Sequence, residues 1–403
     1  MKIIILGAGV GGLAAARYLT AAGHEVELYE QAPALRTEGA ALILWSSGTG
    51  ILQDIGVGLD GLGSRMDEMD TCLDDGSPVL RMRLRKIEGR LGAPTVVVPR
   101  GRLVEVLAGG LDESVVHFGK RCVDVVEPAE GSSDPVTAVF EDGSRAQGDI
   151  LIAADGHRSN VRRKLVGPAQ ARATGYATWH GLTKVPIELS NANRMLAIYG
   201  KAGFSTLFSA GDGLLQWVFV TPWSDGDTVP PGTMDPSFQQ VSEGAPSPIR
   251  NLRERFGTWM EPIPELLDIV TDHDISVYPH ILHDVPKRWG RGRVLMMGDA
   301  VHAVPPTLAQ GVNQTLEDAW ALKRAFAESP SPDAVLDHYE GSRSKRMRKL
   351  SKLAARSENR PAPPRFLRFA PSLIPQTRMN QWAIKNFSTY LNDPVAKRAG
   401  SRT

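Results

Sequence analysis

Apolar runs and helical patterns alternate along the first 30 residues of the chain. Lys2–Leu6 holds three consecutive isoleucines, and an apolar run of this length is typical of a fully buried parallel strand. A helical pattern with Leu13, Ala16 and Leu19 follows, and alternating apolar residues then run over Glu25–Tyr29. The order strand, helix and strand predicts a βαβ unit at the start of the chain.

The loop between this strand and this helix carries the pattern GxGxxG, formed by Gly7, Gly9 and Gly12. Glu30 follows Gly12 by 18 residues, directly after the second strand. Glycine allows a tight turn and a close approach of the backbone to a pyrophosphate, and an acid at this distance suits a ribose hydroxyl. The predicted dinucleotide-binding residues are Gly7, Gly9, Val10, Gly11, Gly12, Glu30 and Gln31.

A second pattern of strand, loop and helix spans residues 292–319. The apolar run 294–297 leads to Asp299, and a Pro-Pro turn at 305–306 precedes the helical pattern that opens at Gly311. A carboxylate at the carboxyl end of a buried strand lies where open α/β sheets bind ligands, and the helix would direct its free N–H groups to the same place. The alternative is that Asp299 caps the strand and the prolines form a rigid turn. The predicted ligand contacts in this stretch are Asp299, Gly311, Val312 and Asn313.

Three further charged residues are candidates for ligand binding. Asp155 follows the apolar strand 150–154 and precedes a run of cations suited to phosphate. Arg100 begins a helix, where its positive charge opposes the helix dipole and favours an anionic partner. Arg36, in the loop after the second strand, either meets a phosphate or is a solvated loop charge. We include all three among the predicted binding residues.

Residues 174–280 are strand-like and lack the βαβ pattern. An antiparallel sheet of this kind, covering a nucleotide domain, would present one aromatic face to a substrate. Trp217 and Phe219 fall on one face of their strand, and Trp45 lies on the strand after the first nucleotide loop, so each is either a pocket residue or part of the core. His180 is either a base that deprotonates the substrate or a polar wall of the pocket.

Composition and charge exclude several classes of protein. The 403 residues allow two or three domains, and 46 Lys plus Arg against 45 Asp plus Glu give a formal net charge of +1, which favours neither nucleic acid nor a membrane surface as partner. No apolar run reaches the roughly 20 residues of a membrane span, and the first residues lack signal-peptide organisation. A cytoplasmic protein is therefore expected.

The cysteine content and one basic segment bear on two further questions, metal binding and membrane binding. Cys72 and Cys122 form no CxxC pair, which argues against a disulfide framework and a cysteine-based zinc site, so no metal site is predicted. Residues 343–356 include seven basic residues and no acid, at a helical spacing of apolar positions. We interpret this segment as a docked helix with a solvated basic face in preference to a membrane-surface helix.

Three separated motifs together resemble the family of single-component flavoprotein hydroxylases of the p-hydroxybenzoate hydroxylase type. They are GAGVGG with Glu30, ADGHRSNVR over 154–162, and GDAVHAVPPTLAQGVN over 298–313. Arg100 matches the family's flavin-contacting arginine. The resemblance implies FAD as cofactor, with the pyrophosphate on the first loop, the adenosine ribose on Glu30, and the ribityl chain and phosphate on Arg100 and Asp299.

The same resemblance implies NAD(P)H as co-substrate, bound transiently at the motif of Asp155 without a second dinucleotide fold. The helix from Gly311 is implied to face the pyrimidine end of the flavin and to stabilise its reduced, anionic form. Oxygen then gives a flavin hydroperoxide that oxidises an electron-rich substrate carbon, and the carbonyl group of Pro306 helps to position the substrate. Ala309 departs from the family pattern, in which many members have glycine.

These inferences predict an α/β fold with a Rossmann-like FAD-binding domain, a mixed-sheet substrate domain and a C-terminal helical segment. The expected FAD-binding domain is discontinuous and comprises residues 1–70, 100–173 and 276–328. The substrate domain is assigned to 71–99 and 174–275, and the C-terminal segment to 329–403.

We predict an FAD-dependent monooxygenase that uses NAD(P)H and O₂ to hydroxylate or epoxidise a small aromatic or polycyclic compound. Two alternatives stay open from the sequence: an FAD-dependent reductase or oxidase on the same fold, and a flavin-binding protein without turnover. The expected protein is a monomer or homodimer whose partner is a small-molecule aromatic substrate.

Overall fold

The computed structural model describes residues 1–129, 132–168, 171–190, 193–224, 247–329, 331–358, 381–382 and 384–393. The strands, in chain order, are β1 (Lys2–Leu6), β2 (Glu25–Tyr29), β3 (Ala41–Leu44), β4 (Ser64–Arg65), β5 (Glu68–Leu73), β6 (Pro78–Arg83), β7 (Val96–Pro99), β8 (Val116–His117), β9 (Cys122–Val126), β10 (Val136–Phe140), β11 (Arg145–Gly148), β12 (Ile150–Ala153), β13 (Arg172–Lys184), β14 (Arg194–Gly200), β15 (Gly203–Gly211), β16 (Leu214–Pro222), β17 (Ser276–Leu282), β18 (Gly290–Arg291) and β19 (Val294–Met296). The α-helices are α1 (Val10–Ala21), α2 (Ser46–Asp54), α3 (Arg85–Leu91), α4 (Arg100–Ala108), α5 (Asn160–Leu165), α6 (Ile187–Ser190), α7 (Pro248–Phe256), α8 (Ile263–Ile269), α9 (Asp299–His302), α10 (Gly311–Glu328) and α11 (Pro332–Glu358).

A six-stranded sheet, in the order β18-β19-β12-β1-β2-β8, forms the centre of the first domain. β1 pairs in parallel with β2 and β12, and β12 pairs in parallel with β19. Every residue of β12 and β19 is buried, as expected for parallel strands covered on both faces. Because parallel strands end at the same edge, the loops after β1, β12 and β19 meet there, and these loops carry the three sequence motifs.

A seven-stranded sheet, in the order β17-β13-β16-β15-β14-β5-β6, forms the second domain. Its neighbours are antiparallel apart from the parallel pair β14 and β5. One face packs on α7 and α8 and forms a core of its own around Trp217, Phe219 and Phe256. The opposite face contributes Met195 and Phe208 to the larger core of the first domain. The sheet therefore has one closed face and one face turned toward the first domain.

Two small sheets and the last helices complete the described fold. The sheets have the orders β11-β10-β9 and β3-β7-β4. α11 packs along α10, and residues 384–393 return to the same helix, where the ring of Tyr390 lies 5.4 Å from that of Trp320. The predicted C-terminal segment is therefore helical over Pro332–Glu358, and residues 359–380 lie outside the described residues.

The predicted fold class, with a Rossmann-like domain and a mixed sheet, is confirmed. Two boundaries differ from those expected. β17 pairs with β13 and so belongs to the seven-stranded sheet, although residue 276 was expected to begin the last part of the FAD-binding domain. β7 pairs with β3 and β4, outside that sheet. Among the described helices, none combines the length and apolar character required to cross a membrane.

Candidate active site

Glycine is required at different positions of the first loop for different steric reasons. Gly7 has φ +102°, and a Cβ on it would lie 2.5 Å from the carbonyl oxygen of Ala154. A Cβ on Gly12 would lie 1.9 Å from the carbonyl oxygen of Gly7. Gly9 is different, because nothing lies within 4 Å of its Cβ position. The loop is thus closed tightly at Gly7 and Gly12 and leaves space for a ligand at Gly9.

The third motif packs directly on this loop and on α1. A Cβ on Gly11 would lie 2.5 Å from Cγ2 of Thr315, and a Cβ on Gly298 would lie 3.2 Å from the same atom. Thr315 belongs to α10, and its hydroxyl donates to the carbonyl oxygen of Gly311 at 3.0 Å. The two glycines therefore let α1, α10 and the loop after β19 approach one another around a single methyl group.

Glu30 uses both carboxylate oxygens to hold the backbone around the loop. Its Oε2 accepts from the N–H of Ala8 at 2.8 Å, and its Oε1 accepts from the N–H of Ala32 at 2.8 Å. Each carboxylate oxygen has a second acceptor position, so capacity remains for a ribose hydroxyl. The carboxylate is held in place before any ligand arrives.

A cleft of about 1040 Å³ opens at this edge of the six-stranded sheet. Arg100 is fixed beside it, because its Nη1 donates to the carbonyl oxygen of Glu38 at 2.9 Å and its backbone N–H donates to that of Ala40 at 3.1 Å. The volume is at the upper end of the roughly 300–1,000 Å³ typical of ligand pockets, which suits a dinucleotide. The predicted residues that line the cleft are Gly7, Gly9, Glu30, Gln31, Arg36, Arg100 and Asp155. Val10, Gly11 and Gly12 form the first turn of α1 next to it.

Asp155 lies just beyond the carboxyl end of β12. Its Oδ2 accepts from the N–H of Asn160 at 3.1 Å, whereas its Oδ1 is buried without a hydrogen-bond partner. Burial raises the pKa of this carboxyl group. A ligand hydroxyl or amide that donates to Oδ1 would remove the cost of this unpaired oxygen.

Arg162 is among the cations predicted to suit phosphate, but its guanidinium is buried and already engaged. Its Nη1 donates to the carbonyl oxygens of Ala300 at 3.2 Å and Val301 at 2.9 Å, and its Nη2 donates to that of Asp284 at 2.8 Å. Burial lowers the pKa of this arginine. Arg162 therefore ties the second motif to the third, which corrects the phosphate assignment for this residue.

Asp299 is exposed at the first position of α9, directly beyond β19. Its negative charge acts on His283, which lines the cleft. Burial is the larger influence on His283 and lowers the pKa of the imidazole. The carboxylate thus occupies the strand-end position expected from the sequence, beside the cleft.

A buried polar network behind α9 has no counterpart in the sequence predictions. Asp318 accepts from the N–H of Gly298 at 2.9 Å and from Arg343 Nε at 2.8 Å, and it pairs with His302 Nε2 at 2.6 Å. Arg343 is fully buried and also donates to Glu317 at 2.7 Å. Burial would raise the pKa of Asp318, but the charges of His302 and Arg343 outweigh it and lower that pKa. The network fixes the loop after β19 to α10 and α11.

The start of α10 offers backbone N–H groups rather than side chains. The first intrahelical bond at this end runs from the N–H of Gln314 to the carbonyl oxygen of Gln310 at 2.9 Å, so the N–H groups of residues 311–313 precede it. The side chain of Asn313 is fully used within the protein. It accepts from the N–H of Trp45 at 2.9 Å and donates to the carbonyl oxygens of Ile43 at 2.9 Å and Ala309 at 3.0 Å. The polar groups that Gly311, Val312 and Asn313 offer to a ligand there are therefore their backbone N–H groups.

Trp45, predicted as a pocket residue, supports the turn before α10. It is buried, and its indole N–H donates to the carbonyl oxygen of Ala309 at 3.1 Å. Ala309 has φ +49°, in the left-handed region that favours glycine, so the departure from the family pattern falls where glycine would be relaxed. Pro306 is exposed, and its carbonyl oxygen accepts from the N–H of Ala309 at 2.8 Å, which leaves one acceptor position.

Trp217 and Phe219 do share a face of β16, but it is the closed face. Both side chains are fully buried, and the ring of Phe219 lies 4.7 Å from that of Phe256 in α7. The indole N–H of Trp217 donates to Thr183 Oγ1 at 3.0 Å. The prediction that these two residues line a substrate pocket is therefore wrong, because the alternation of the strand turns them away from the first domain.

The open face of the seven-stranded sheet is here called the substrate face. It carries the residues of β16 that alternate with Trp217 and Phe219. Gln216 lies on it and accepts from the N–H of Ala41 in β3 at 2.6 Å, so this face adjoins β3. Val218 lies on it too and is half-buried, whereas its neighbours on the closed face are fully buried. Strand register places the following residues on the substrate face, with Lys184 and Leu214 at its end: Thr178, His180, Leu182, Lys184, Thr206, Phe208, Leu214, Gln216, Val218, Val220, Ser276 and Tyr278.

His180 lies near the middle of the substrate face, opposite Val218 on β16 and Ser276 on β17. Its Nδ1 is buried and has no hydrogen-bond partner. Burial lowers the pKa of His180 to about 4, so the imidazole is neutral at neutral pH. A neutral imidazole of this kind binds a ligand hydroxyl or amide well but is a poor base toward a phenol.

Sequence reasoning missed two groups of residues, for different reasons. The substrate face was missed because alternation defines two faces of β16, and the larger aromatic residues suggested the other one. The pairing of Arg343 with Asp318 left only a weak sequence signal, since the two lie on different helices. A basic residue buried among the apolar positions of α11 was the available hint, and it was interpreted as part of a solvated face.

Comparisons with known proteins agree with this geometry. A family model described as an FAD binding domain matches residues 1–247 and 264–354. The FAD-dependent urate hydroxylase of Klebsiella pneumoniae subsp. pneumoniae is 30% identical over 87% of this chain and 88% of its own length. The 3-amino-4-hydroxybenzoate 2-monooxygenase of Streptomyces cremeus is 31% identical over 88% of this chain and 86% of its own. The crystal structure of Klebsiella pneumoniae HpxO complexed with FAD and uric acid covers 98% of both chains at 27% identity, with a TM-score of 0.81.

FAD fits the residues present in this protein. The open position at Gly9 and the unpaired Oδ1 of Asp155 belong to residues that line a cleft large enough for a dinucleotide, and Asp299 acts on His283, which also lines it. The N–H groups at the start of α10, a helix that packs on α1 through Thr315, provide a further group of partly positive donors. The family match, the relatives and this fit establish FAD as the cofactor and an enzymatic role. The chain belongs to the family of FAD-dependent aromatic hydroxylases.

Proposed function

We propose that this protein is an NAD(P)H-dependent monooxygenase that hydroxylates or epoxidises a small aromatic or polycyclic compound. Family membership supports flavin-dependent oxygenation, and NAD(P)H use is typical of the family. The observation that carries the proposal is that β3 touches both the substrate face and the start of α10. Ala41 of β3 binds Gln216, and Ile43 of the same strand binds Asn313 at the start of α10. A substrate on that face would lie next to the cofactor.

We assign the nucleotide half of FAD to the first loop and its surroundings. The backbone at Gly9 has room for the diphosphate, and Arg36 and Arg100 line the cleft with positive charge. Glu30 would accept from a ribose hydroxyl with the lone pairs that Ala8 and Ala32 leave over. Asp299 would accept from the ribityl hydroxyls at the end of β19.

The flavin half belongs at the start of α10. FAD, when bound, supplies hydride acceptance and the activation of oxygen. The N–H groups of residues 311–313 and the positive end of the helix dipole stabilise negative charge beside them. Trp45, Asn313 and Ala309 hold this helix end in place through their mutual hydrogen bonds.

His180 then orients the substrate rather than removing its proton. Its neutral ring has one donor and one acceptor, and Nδ1 is unpaired within the protein. The carbonyl group of Pro306 retains one acceptor position and would help to position the same molecule. Both groups act by placing a substrate carbon, which is the contribution a protein makes to flavin chemistry.

Oxygen uptake tests the proposed function. Purified FAD-containing protein is mixed with NADH or NADPH and a panel of phenols and fused-ring heteroaromatics, and oxygen consumption, reduced-nucleotide oxidation and product are measured together. We expect product to form with consumption of one O₂ and one NAD(P)H. Product that forms equally under argon would overturn the monooxygenase reaction in favour of a reductase.

The remaining alternatives give separate results in the same experiment. An oxidase would reduce O₂ to hydrogen peroxide in step with substrate oxidation and without NAD(P)H. A flavin-binding protein without turnover would keep its FAD oxidised in the presence of NADH and NADPH. A colourless preparation that takes up no FAD would contradict all of these functions.

A further inference from the structure

We propose that the substrate enters the pocket as an uncharged molecule, a phenol or lactam of a fused-ring aromatic, and is held by a hydrogen bond to His180. This inference rests on the proposed function and narrows its substrate class. It excludes carboxylates and phosphate esters as good substrates. The argument uses the side chains of the substrate face and their partners within the protein.

Around His180, over the stretch of the substrate face from Thr178 to Leu182 and across to Val218 and Ser276, the structure describes no Asp, Glu, Lys or Arg. The nearest charges on this sheet lie elsewhere. Arg81 and Arg194 both bind Asp70, which lies on β5 opposite Leu196 and hence on the closed face. Lys184 falls on the substrate face by register, but at its end, where it is exposed at the last position of β13, four residues along the strand from His180. Arg36 and Arg100 line the nucleotide cleft, where they would pair with the diphosphate of FAD.

A carboxylate on this face would lose its hydration without gaining a cation. Burying an ionised group without a partner costs several kcal/mol, which exceeds what a single hydrogen bond from a neutral imidazole returns. An uncharged aromatic molecule has no such cost and gains from burial against Leu182, Phe208 and Val218. The composition of the face therefore selects against anions.

Among the hydrogen-bonding groups of the face, we assign His180 as the recognition contact. Thr178 and His280 satisfy one another at 2.6 Å, and Gln216 is used by the N–H of Ala41 and the carbonyl oxygen of Trp217. His180 differs, because its buried Nδ1 has no partner. A phenol or lactam offers a donor or an acceptor to that nitrogen, whichever tautomer the ring adopts. Specificity follows because an unpaired buried nitrogen is costly when the ligand lacks such a group.

Matched pairs of probes test the charge preference by binding, independently of turnover. The FAD-containing protein is titrated at pH 7.5 with 4-hydroxyquinoline and with 4-hydroxyquinoline-2-carboxylate, and the shift of the flavin absorption bands gives each Kd. A second pair is 2-naphthol and 3-hydroxy-2-naphthoate. We expect the uncharged member of at least one pair to bind ten times more tightly or better. Carboxylates that bind as tightly as their uncharged partners, or uncharged probes that fail to bind in both pairs, would overturn the proposal.

Substitutions on the face sharpen this test. Val218→Arg places a cation across from His180 and should reverse the preference toward the carboxylate by tenfold or more, while the uncharged Val218→Met control should leave it unchanged. His180→Leu should weaken 4-hydroxyquinoline at least tenfold, and His180→Asn, which keeps a donor and an acceptor, should restore part of that loss. Equal Kd values for His180→Leu and the wild type would contradict the role of His180. Flavin content and the thermal midpoint of each variant show that it is folded.

The failure of this inference and that of the proposed function give different results. Tight binding of uncharged probes without oxygen-dependent oxidation of NAD(P)H would leave the substrate class standing and refute the monooxygenase. Turnover of the carboxylates with NAD(P)H and O₂ would support the monooxygenase and refute the inference. Both readouts come from the same holoprotein.

Discussion

The two ends of the proposed FAD site are built on different principles. The nucleotide end consists of glycines and backbone groups, with an open position at Gly9 and a carboxylate, Glu30, that already holds the loop. The flavin end consists of side chains, such as Asn313 and Asp318, that are engaged by backbone groups and side chains of the protein itself. The first end binds its ligand directly, and the second end positions a helix that binds it. Substitutions should therefore weaken the nucleotide end locally and the flavin end through the fold.

The largest effect is expected at Arg343. Arg343→Met leaves Glu317 and Asp318 buried without their cation, and breaking a buried ion pair in this way costs about 3–5 kcal/mol. Urea unfolding of the apoprotein measures the loss. The exposed pair of Arg250 and Glu254 provides the control, because Arg250→Met should cost no more than about 0.5 kcal/mol. A loss at Arg343 as small as the loss at Arg250 would remove the contrast between the two ends.

Two glycines of the same loop should behave differently. Gly12→Ala brings Cβ to 1.9 Å from the carbonyl oxygen of Gly7 and should destabilise the apoprotein by about 1–3 kcal/mol. Gly9→Ala meets nothing within 4 Å, so the apoprotein should keep its stability while FAD binding weakens at least about tenfold. Unfolding of apoprotein and titration with FAD separate the two effects. Unchanged FAD affinity in Gly9→Ala would argue against a diphosphate at that position.

Asp299 tests whether the third motif touches the cofactor itself. Asp299→Ala removes an exposed carboxylate that has no structural role in the network behind it, so we expect largely apoprotein with wild-type unfolding. The ratio of flavin to protein absorbance after purification is the measurement. Asp268→Ala, at an exposed position of α8, is the matched control. Tightly retained FAD in Asp299→Ala would move the ribityl contact elsewhere.

His180 gives a smaller effect that depends on pH. In the unfolded chain a histidine titrates near its ordinary pKa of about 6.5, whereas the pKa of His180 in the folded protein is about 4. Between these values the unfolded state binds more protons, so stability falls as pH decreases through this window. The wild type should lose about 1–2 kcal/mol between pH 7 and pH 5 that His180→Asn does not lose. The exposed His273→Asn variant is the control, and identical pH profiles for His180→Asn and the wild type would contradict the burial of this ring.

The smallest effect is expected at Ala309. Ala309→Gly relieves the strain of a left-handed backbone, which costs alanine about 1–2 kcal/mol. Glycine also increases the conformational entropy of the unfolded chain, which lowers the free energy of unfolding by about 0.5–1 kcal/mol. The net change in the free energy of unfolding should stay below about 1 kcal/mol. Thermal unfolding measures it, and Ala309→Val provides a strained comparison that should lose more. A clear loss in Ala309→Gly would show that the methyl group packs against a neighbour that matters.

The nucleotide end could be predicted because its information is local. A glycine loop, a buried strand and an acid at a fixed distance lie within 30 residues, and each has its own steric reason. The flavin end could not, because the partners of Asn313 lie 268 and 270 residues away, on a strand whose pairing no local pattern specifies. The prediction that Trp217 lines the pocket was wrong for a related reason. Alternation defines two faces of the strand, and only the packing of α7 shows which face is closed.

The close packing of α1 on α10 around Thr315 has one more consequence. Gly11 and Gly298 hold α1 and α10 in direct contact, so the protein sets the distance between the proposed diphosphate and flavin sites. For a ligand that spans both, binding at one end presents the other group at a high effective concentration, and the two affinities multiply. AMP and FMN, when they are offered as separate molecules, do not gain this effective concentration. The affinity for the intact dinucleotide should exceed theirs because its covalent linker matches a fixed span.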